Sequence, residues 1–197
     1  ELTREGLAAA KAAGLTVSCD LNYRKNLWSR EKAKSVMTDL MQYVDVLIAN
    51  EEDSHDVFGI AAEGSDVEGG QLSEQGYRNL ARRLAQLFPV KKVAFTLRES
   101  LSANDNNWSG LIYDAATGEA ARSRQYAIRI VDRVGGGDAF GGGLIHALRA
   151  GQTDGQAIEF AAAASALKHT IEGDFNRVSE AEVRSLMGGS GSGRVQR

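Results

Sequence analysis

The run Asp132 to Phe140, Asp-Arg-Val-Gly-Gly-Gly-Asp-Ala-Phe, carries the densest chemical information in the sequence. Gly135, Gly136 and Gly137 remove every side chain from a turn that follows a strand-like segment and opens a helix-like one. Bare amides at a helix mouth can close on an anion, and the helix dipole adds partial positive charge, so phosphate is the natural guest. Asp138 stands in the same field, which complements a negative charge. A carboxylate beside a phosphate cradle can take a proton from an attacking hydroxyl, as phosphoryl transfer requires. A Gly-rich connection with an acidic first helical turn is the plainer alternative. No Gly-Lys-Ser or Gly-Lys-Thr follows the glycines, which excludes a Walker A loop, and their late position argues against a dinucleotide site.

The elements that must hold these residues follow from periodicity. Residues 3–13 place Ala, Leu and Lys at helical spacing before Gly14 and predict an amphipathic helix. Residues 15–22 are apolar β-formers, hence a buried strand in which Cys19 is an inert thiol. A loop over 22–29 leads to a helix over 29–43 capped by Ser29, a strand over 44–50 and a helix over 51–57. The Gly- and acid-rich stretch 59–71 predicts an exposed, mobile loop. A helix over 73–88 ends at Pro89, and 91–98 is a strand. The polar segment from Glu99 predicts a loop, followed by strands over 108–114 and 121–132 with a turn at 116–119. The glycine turn starts a helix that stops at Gly151, helices over 153–170 and from Ser179 follow, and 188–197 is expected to be a flexible tail.

Strand–helix alternation with buried strands implies an α/β fold over residues 1–187, a three-layer α/β/α sandwich around a mostly parallel sheet. Ligands of such sheets collect beyond the carboxyl ends of the strands. The clusters Asp20–Arg24, Asn50–Asp53, Thr96–Glu99 and Asp132–Asp138 all fall at predicted strand ends and are expected to share one cleft.

Composition narrows the function classes. At 197 residues, 43% hydrophobic and 25% charged, the chain suits one globular domain. A net charge of −3 with scattered basic residues argues against nucleic acid or an anionic membrane as partner. One cysteine, no signal peptide and no apolar run near the ~20 residues that span a bilayer point to the cytoplasm. His55, His146 and His169 are not at metal-ligand spacing, and His146, Trp28 and Trp108 are expected to be packed. The start at Glu1, directly in a helix, reads as the interior of a longer protein.

Residues 132–140 resemble the C-terminal signature of the ribokinase-like (PfkB) carbohydrate kinases, approximately Asp-Thr-x-Gly-Ala-Gly-Asp-x-Phe. Arg133 stands where Thr is usual and Gly136 where Ala is usual. The resemblance implies Asp138 as catalytic base at the sugar hydroxyl, and the amides of Gly135, Gly136 and Gly137 as the anion hole. Asn-Glu-Glu-Asp at 50–53 resembles the family's Asn-x-x-Glu motif with Asp53 at the Glu position, implying that Asn50 and Asp53 organise Mg2+ through water, with Glu51 and Glu52 as neighbours that could substitute for Asp53. Asp-Leu-Asn-Tyr-Arg-Lys-Asn-Leu-Trp at 20–28 resembles a segment of the family's 2-keto-3-deoxygluconate kinases, with Leu21 where Pro is frequent. It implies that Arg24 grips a sugar-acid carboxylate, a task suited to the guanidinium fork, while Asn22 faces the phosphates. Residues 96–110 resemble the nucleotide-side loop of that subgroup, placing Thr96, Arg98 and Ser100 near ATP. Residues 161–169 would wall the adenine pocket, with Ala162 and Ser165 facing it. Residues 168–176 resemble the subgroup's C-terminal segment, where Asp174 would shape the cleft or a monovalent-cation site.

The resemblance therefore implies phosphorylation of 2-keto-3-deoxygluconate by ATP, with Mg2+ and a monovalent cation as cofactors. It runs along the whole chain but matches only the C-terminal portion of a family member. The N-terminal part, which supplies sugar-hydroxyl contacts and a β-sheet lid through which members often dimerise, is not recognisable here, so that part and a second copy are both candidate partners. A kinase for a neutral sugar of the fructose or ribose type is the alternative within enzymes, and Arg24 discriminates the two. A non-catalytic nucleotide-binding fragment is the alternative outside them, against which the intact Asp138 argues.

Overall fold

Four consecutive apolar residues, Val46–Ala49, are buried along their whole length and form the central parallel strand of the fold. The structure, a computed structural model, describes residues 1–62 and 73–189. In chain order the elements are α1 (Leu2–Ala12), β1 (Ser18–Asp20), α2 (Arg30–Leu40, extended by one 3₁₀ turn), β2 (Val46–Ala49), α3 (Glu51–Phe58) and α4 (Glu74–Leu87). They continue as β3 (Lys92–Ser100), β4 (Asp105–Asp114), β5 (Ala120–Arg122), β6 (Tyr126–Arg129), α5 (Gly136–Arg149), α6 (Asp154–Lys168) and α7 (Glu180–Met187). The strands form one mixed sheet in the order β1-β2-β3-β4-β5, with β6 on β4. The expected α/β class is the observed one.

The described residues divide into two compact units, to both of which β3 and β4 contribute. The first holds residues 1–62, 73–95 and 111–120. In it β1 and β3 flank β2 in parallel, with Ser18 and Lys92 both opposite Val46. Helix α4 buries Tyr77, Leu80 and Leu84, and Tyr77 meets Phe95 with ring centroids 5.5 Å apart. Ser29, Asn50 and Ser73 cap α2, α3 and α4 through their side chains, each accepting a backbone N–H of the first turn.

The second unit holds residues 96–110 and 121–189. There β4 and β6 run antiparallel, and α5 lies closely on α6 because Gly143 leaves room; a Cβ there would come within 3.2 Å of the Ala161 backbone. Gly110 does the same beneath Phe140 and Ile158, where a Cβ would sit 2.8 and 2.9 Å from their side chains. Capping boxes start α6 (Thr153 with Gln156) and α7 (Ser179 with Glu182).

Several expectations change. Helix α1 buries no residue fully: Leu7 and Ala10 are half-buried, and the ion pairs Lys11–Asp45 and Arg4–Asp39 add to its hold on the unit. The strand at Cys19 is three residues long and only half-buried at its centre, because β1 ends the strand order. Burial still pushes the Cys19 thiol up to about 11. The polar segment after Leu97 is a hairpin rather than a loop. Its side chains pair across the strands, Asn107 to Glu99 (2.9 Å) and Ser100 to Asn106 (3.1 Å), while Ser102 closes the turn on Asp105 (2.8 Å). Thr96–Glu99 therefore lies inside β3, not at a strand end. The strand expected over 121–132 is broken at Ser123, whose hydroxyl accepts the Gly110 N–H and donates to the Arg124 carbonyl. In the stretch 59–71, Ile60 and Ala62 are buried rather than exposed, and the remainder from 63 lies outside the described residues, as does the tail from 190. Among the described residues no helix is long and apolar enough to cross a membrane.

Asp45, 2% exposed, is the charged hub of the first unit. It accepts from Lys11 Nζ (2.8 and 2.9 Å) and the Val17 N–H (2.9 Å), and Lys91 Nζ lies at 3.0 Å. Burial pushes its pKa up, but these partners outweigh burial and hold it at about 2, below the ordinary 3.8. A depressed carboxylate stabilises the fold above its unfolded pKa and loses that contribution, about 2 kcal/mol, as the pH falls. Denaturant midpoints measured at falling pH are expected to drop between pH 4 and 2, and Asp45→Asn should flatten that limb while lowering the plateau at neutral pH. An unchanged limb would remove Asp45 from this role.

Candidate active site

The glycine turn is held by atoms on both sides. Gly135 is the N-cap of α5 and takes φ +78°, a left-handed conformation that favours glycine. A Cβ there would also stand 2.3 Å from the Asp174 carbonyl. Asp132 clamps the turn, its Oδ1 accepting the Val134 N–H (2.9 Å) and its Oδ2 the Gly173 N–H (2.8 Å). Those two N–H groups, followed by the Lys168 charge, keep its carboxyl below the usual range. Ser165 Oγ donates to the Gly136 carbonyl at 2.7 Å, and Arg133 reaches the Ala103 carbonyl across the hairpin turn. The Gly136 N–H points back at the Arg133 carbonyl (3.3 Å). Among the described residues no protein acceptor takes the N–H groups of Gly135, Gly137 and Asp138. Of the expected trio of amides, then, Gly136 is already engaged while Gly135 and Gly137 are open, and the open edge continues to Asp138.

Gly136 has a further reason to lack a side chain. A Cβ there would lie 2.5 Å from Cε1 and 2.7 Å from Nε2 of His169. That ring is buried, holds the Ser165 carbonyl through Nδ1 (2.7 Å) and rests on Trp108 with centroids 4.7 Å apart. The Gly at 136, where the resembling signature has Ala, is the counterpart of this imidazole. Burial first lowers the His169 pKa, and the charges of Lys168, Arg133 and Arg98 lower it further, while its bond to Ser165 opposes them. The positive charges of Lys168, Arg133 and Arg98 thus all act on this ring. They join the α5 dipole in one positive field.

A cavity of about 590 Å³ opens at the mouth of α5, with Gly135 and Asp138 at one end and Gly142, Phe160, Ala164 and Asp174 among its other walls. That volume suits a nucleotide-sized ligand. The Asp138 carboxylate is exposed and no hydrogen bond or ion pair holds it among the described residues. Ala162 and Ser165 do not face this cavity: both are 0% exposed, and the side of α6 that does carries Phe160 and Ala164. His146 is exposed rather than packed, stacked on Phe160 at 5.2 Å and lining the cavity. Arg98 is exposed, Thr96 half-buried, and Ser100 bonded within the hairpin.

The other two clusters meet in the first unit, at the ends of neighbouring parallel strands. Asp53, buried at the start of α3, accepts the Tyr23 N–H at 3.0 Å, while Asn50 Oδ1 accepts the Asp53 N–H at 2.7 Å. Burial raises the Asp53 pKa against these two N–H groups and the Arg24 charge, which lower it. Asn22 adopts φ +39° with its N–H on Asp20 Oδ1 (3.2 Å), so the chain turns sharply before Arg24. Arg24 is exposed, with one Nη bonded to the Tyr23 carbonyl at 3.2 Å, leaving most of its fork open. Asn50 and Asp53 thus build the loop that presents Arg24. Among the described residues no three His, Cys, Asp or Glu side chains are grouped to hold a metal ion.

Sequence reasoning passed over Asp132 as a clamp, Lys168 beneath the turn and His169 beside Gly136. Asp132 opens the nine-residue signature, and that position was its signal. Lys168 ends an Ala-rich helix and His169 is its C-cap, and the periodicity of that helix says only that it is buried.

Comparisons with known proteins bear on the family and the fold. The family model described as pfkB family carbohydrate kinase matches residues 1–179. The chain is 32% identical over 193 residues to the 2-dehydro-3-deoxygalactonokinase of Haloferax volcanii, covering 98% of this chain and 54% of that protein. The crystal structure of a 2-dehydro-3-deoxygluconokinase from Thermotoga maritima superposes with a TM-score of 0.86 at 46% identity, covering 93% of this chain and 54% of that one. A PfkB family carbohydrate kinase from Listeria grayi gives a TM-score of 0.81 at 30% identity, over 95% of this chain and 54% of that one. The chain spans about half the length of these relatives. By its family match, its identity with these kinases and its shared fold, the chain belongs to the PfkB family of carbohydrate kinases.

Proposed function

We propose that the protein carrying this chain phosphorylates a 2-keto-3-deoxy sugar acid such as 2-keto-3-deoxygluconate, moving the γ-phosphoryl group of ATP to a primary hydroxyl. One observation carries the reading: a carboxylate without a partner among the described residues, Asp138, lines the same cavity as the glycine turn at the mouth of α5. ATP would lie in that cavity with its phosphates toward the Gly137 and Asp138 amides, under the field of Arg98, Arg133 and Lys168. Asp138 accepts the hydroxyl proton while the new O–P bond forms and the bond to ADP breaks. Mg2+, when bound with the nucleotide, would spread the phosphate charge. Asn50 and Asp53 hold other protein atoms in place, so they would reach the metal only through water.

The two sugar-acid kinases named above differ in the configuration of their substrates but share a planar carboxylate and a primary hydroxyl. Arg24, with its fork open, suits that carboxylate. In a coupled assay of the whole protein, Arg24→Ala is expected to raise the KM for the sugar acid on the order of 10²-fold, the loss of a bidentate charge-assisted contact, and to leave the KM for ATP within about twofold. Equal use of fructose or ribose by both forms would move the assignment to a neutral-sugar kinase. ATP binding without turnover of any sugar would favour the non-catalytic reading.

A further inference from the structure

Lys168 ends α6 with a side chain that is 0% exposed, among the largest fully buried ones described. Removing an ammonium from water costs several kcal/mol unless other groups replace its hydration, and no proton transfer above uses it. Its surroundings show what the charge does. Cε lies 3.2 Å from where a Cβ on Gly135 would stand, so the stem runs beneath the glycine turn. Nζ donates to the Ile171 carbonyl at 3.2 Å, at the carboxyl end of α6, where helix carbonyls favour a cation. The charge also acts on Asp132, the carboxylate that ties Val134 to Gly173. The ammonium thus stands at a helix carboxyl terminus on one turn carbonyl, with the Asp132 carboxylate within reach of its field, and a small cation placed there would meet the same potential.

We propose that Lys168 is a positioning residue that acts as a built-in monovalent cation, bracing the Gly135 turn against the 171–173 segment and holding positive potential behind the phosphate cradle. A diffusible K+ or Na+ is then not required at this place. The inference rests on the phosphate-cradle reading and adds to it the source of the fixed charge.

The test uses ATP as probe, so that it is readable whether or not a sugar is turned over. ATP affinity of the whole protein is measured by calorimetry in tetramethylammonium, potassium and ammonium chlorides at equal ionic strength, for the unsubstituted protein, K168M and K168A. The unsubstituted protein should bind equally, within twofold, in all three salts. K168M, which fills the space without charge, should bind at least tenfold more weakly in every salt. K168A, which leaves a hole, should bind weakly in tetramethylammonium and recover at least fivefold in potassium or ammonium. Where turnover is present, kcat should follow the same pattern. A tenfold potassium dependence of the unsubstituted protein, normal binding by K168M, or no recovery of K168A overturns the proposal. Should both variants fail to fold, the salt dependence of the unsubstituted protein still decides it. Failure of the function reading looks different: no sugar is phosphorylated, yet ATP affinity keeps this pattern.

Discussion

Asp138→Asn, assayed in the whole protein, lowers kcat roughly 10³-fold, the scale on which a general base contributes. The substitution is close to isosteric and breaks no hydrogen bond among the described residues, since none holds that carboxylate. Thermal stability should therefore stay within about 2 °C. ATP affinity should hold or improve, because a negative charge leaves the neighbourhood of the phosphates. That combination, chemistry lost with fold and nucleotide binding kept, distinguishes a base from a structural carboxylate. A kcat within tenfold of the unsubstituted protein would mean that the hydroxyl proton goes elsewhere and that Asp138 serves only the start of α5.

What could be read from the residues depended on how local the deciding physics is. The glycine turn was legible because three glycines, an acid and the switch from strand to helix lie within nine residues, and φ, dipole and amide exposure are all set there. Arg24 was singled out by the resemblance of residues 20–28, and the local turn at Asp20 and Asn22 precedes it in the structure, where it is exposed. Asp53 was misjudged in emphasis because its partner, Tyr23, is thirty positions away and only β1–β2 pairing brings them together. The hairpin over 92–114 was missed because polar side chains were taken as a sign of loop, whereas Asn107 bonds Glu99 and Ser100 bonds Asn106 Oδ1 across the strands. Ala162 and Ser165 were expected to face a pocket, but both are buried, and the cavity beside α6 is lined by Phe160 and Ala164 instead. An Ala-rich helix buried nearly all round has no apolar stripe to say which way a residue looks.

The same distinction separates the two ends of the glycine turn and yields the second large prediction. Gly135→Ala meets two obstacles at once: φ +78°, which costs an L-residue about 1–2 kcal/mol, and an Asp174 carbonyl 2.3 Å from the new methyl, with Lys168 Cε at 3.2 Å. Backbone cannot yield as a side-chain tip does, so the 171–174 segment or the turn must shift. Destabilisation of about 3–4 kcal/mol and a Tm lower by roughly 10 °C are expected. A displaced turn near 1 Å would cost about 10²-fold in kcat as well. Gly137→Ala is the control, because a Cβ there meets nothing within 4 Å and the position lies in the first turn of α5. Alanine is the better helix former by about 1 kcal/mol, so stability should hold or rise. Its methyl would nonetheless stand on the edge whose N–H groups find no protein acceptor, and ATP affinity should fall about tenfold. The pair thus separates a turn the fold requires from an edge the ligand requires. If Gly137→Ala binds ATP as tightly as the unsubstituted protein, no phosphate rests on that edge, and the amides of α5 lose their place in the chemistry.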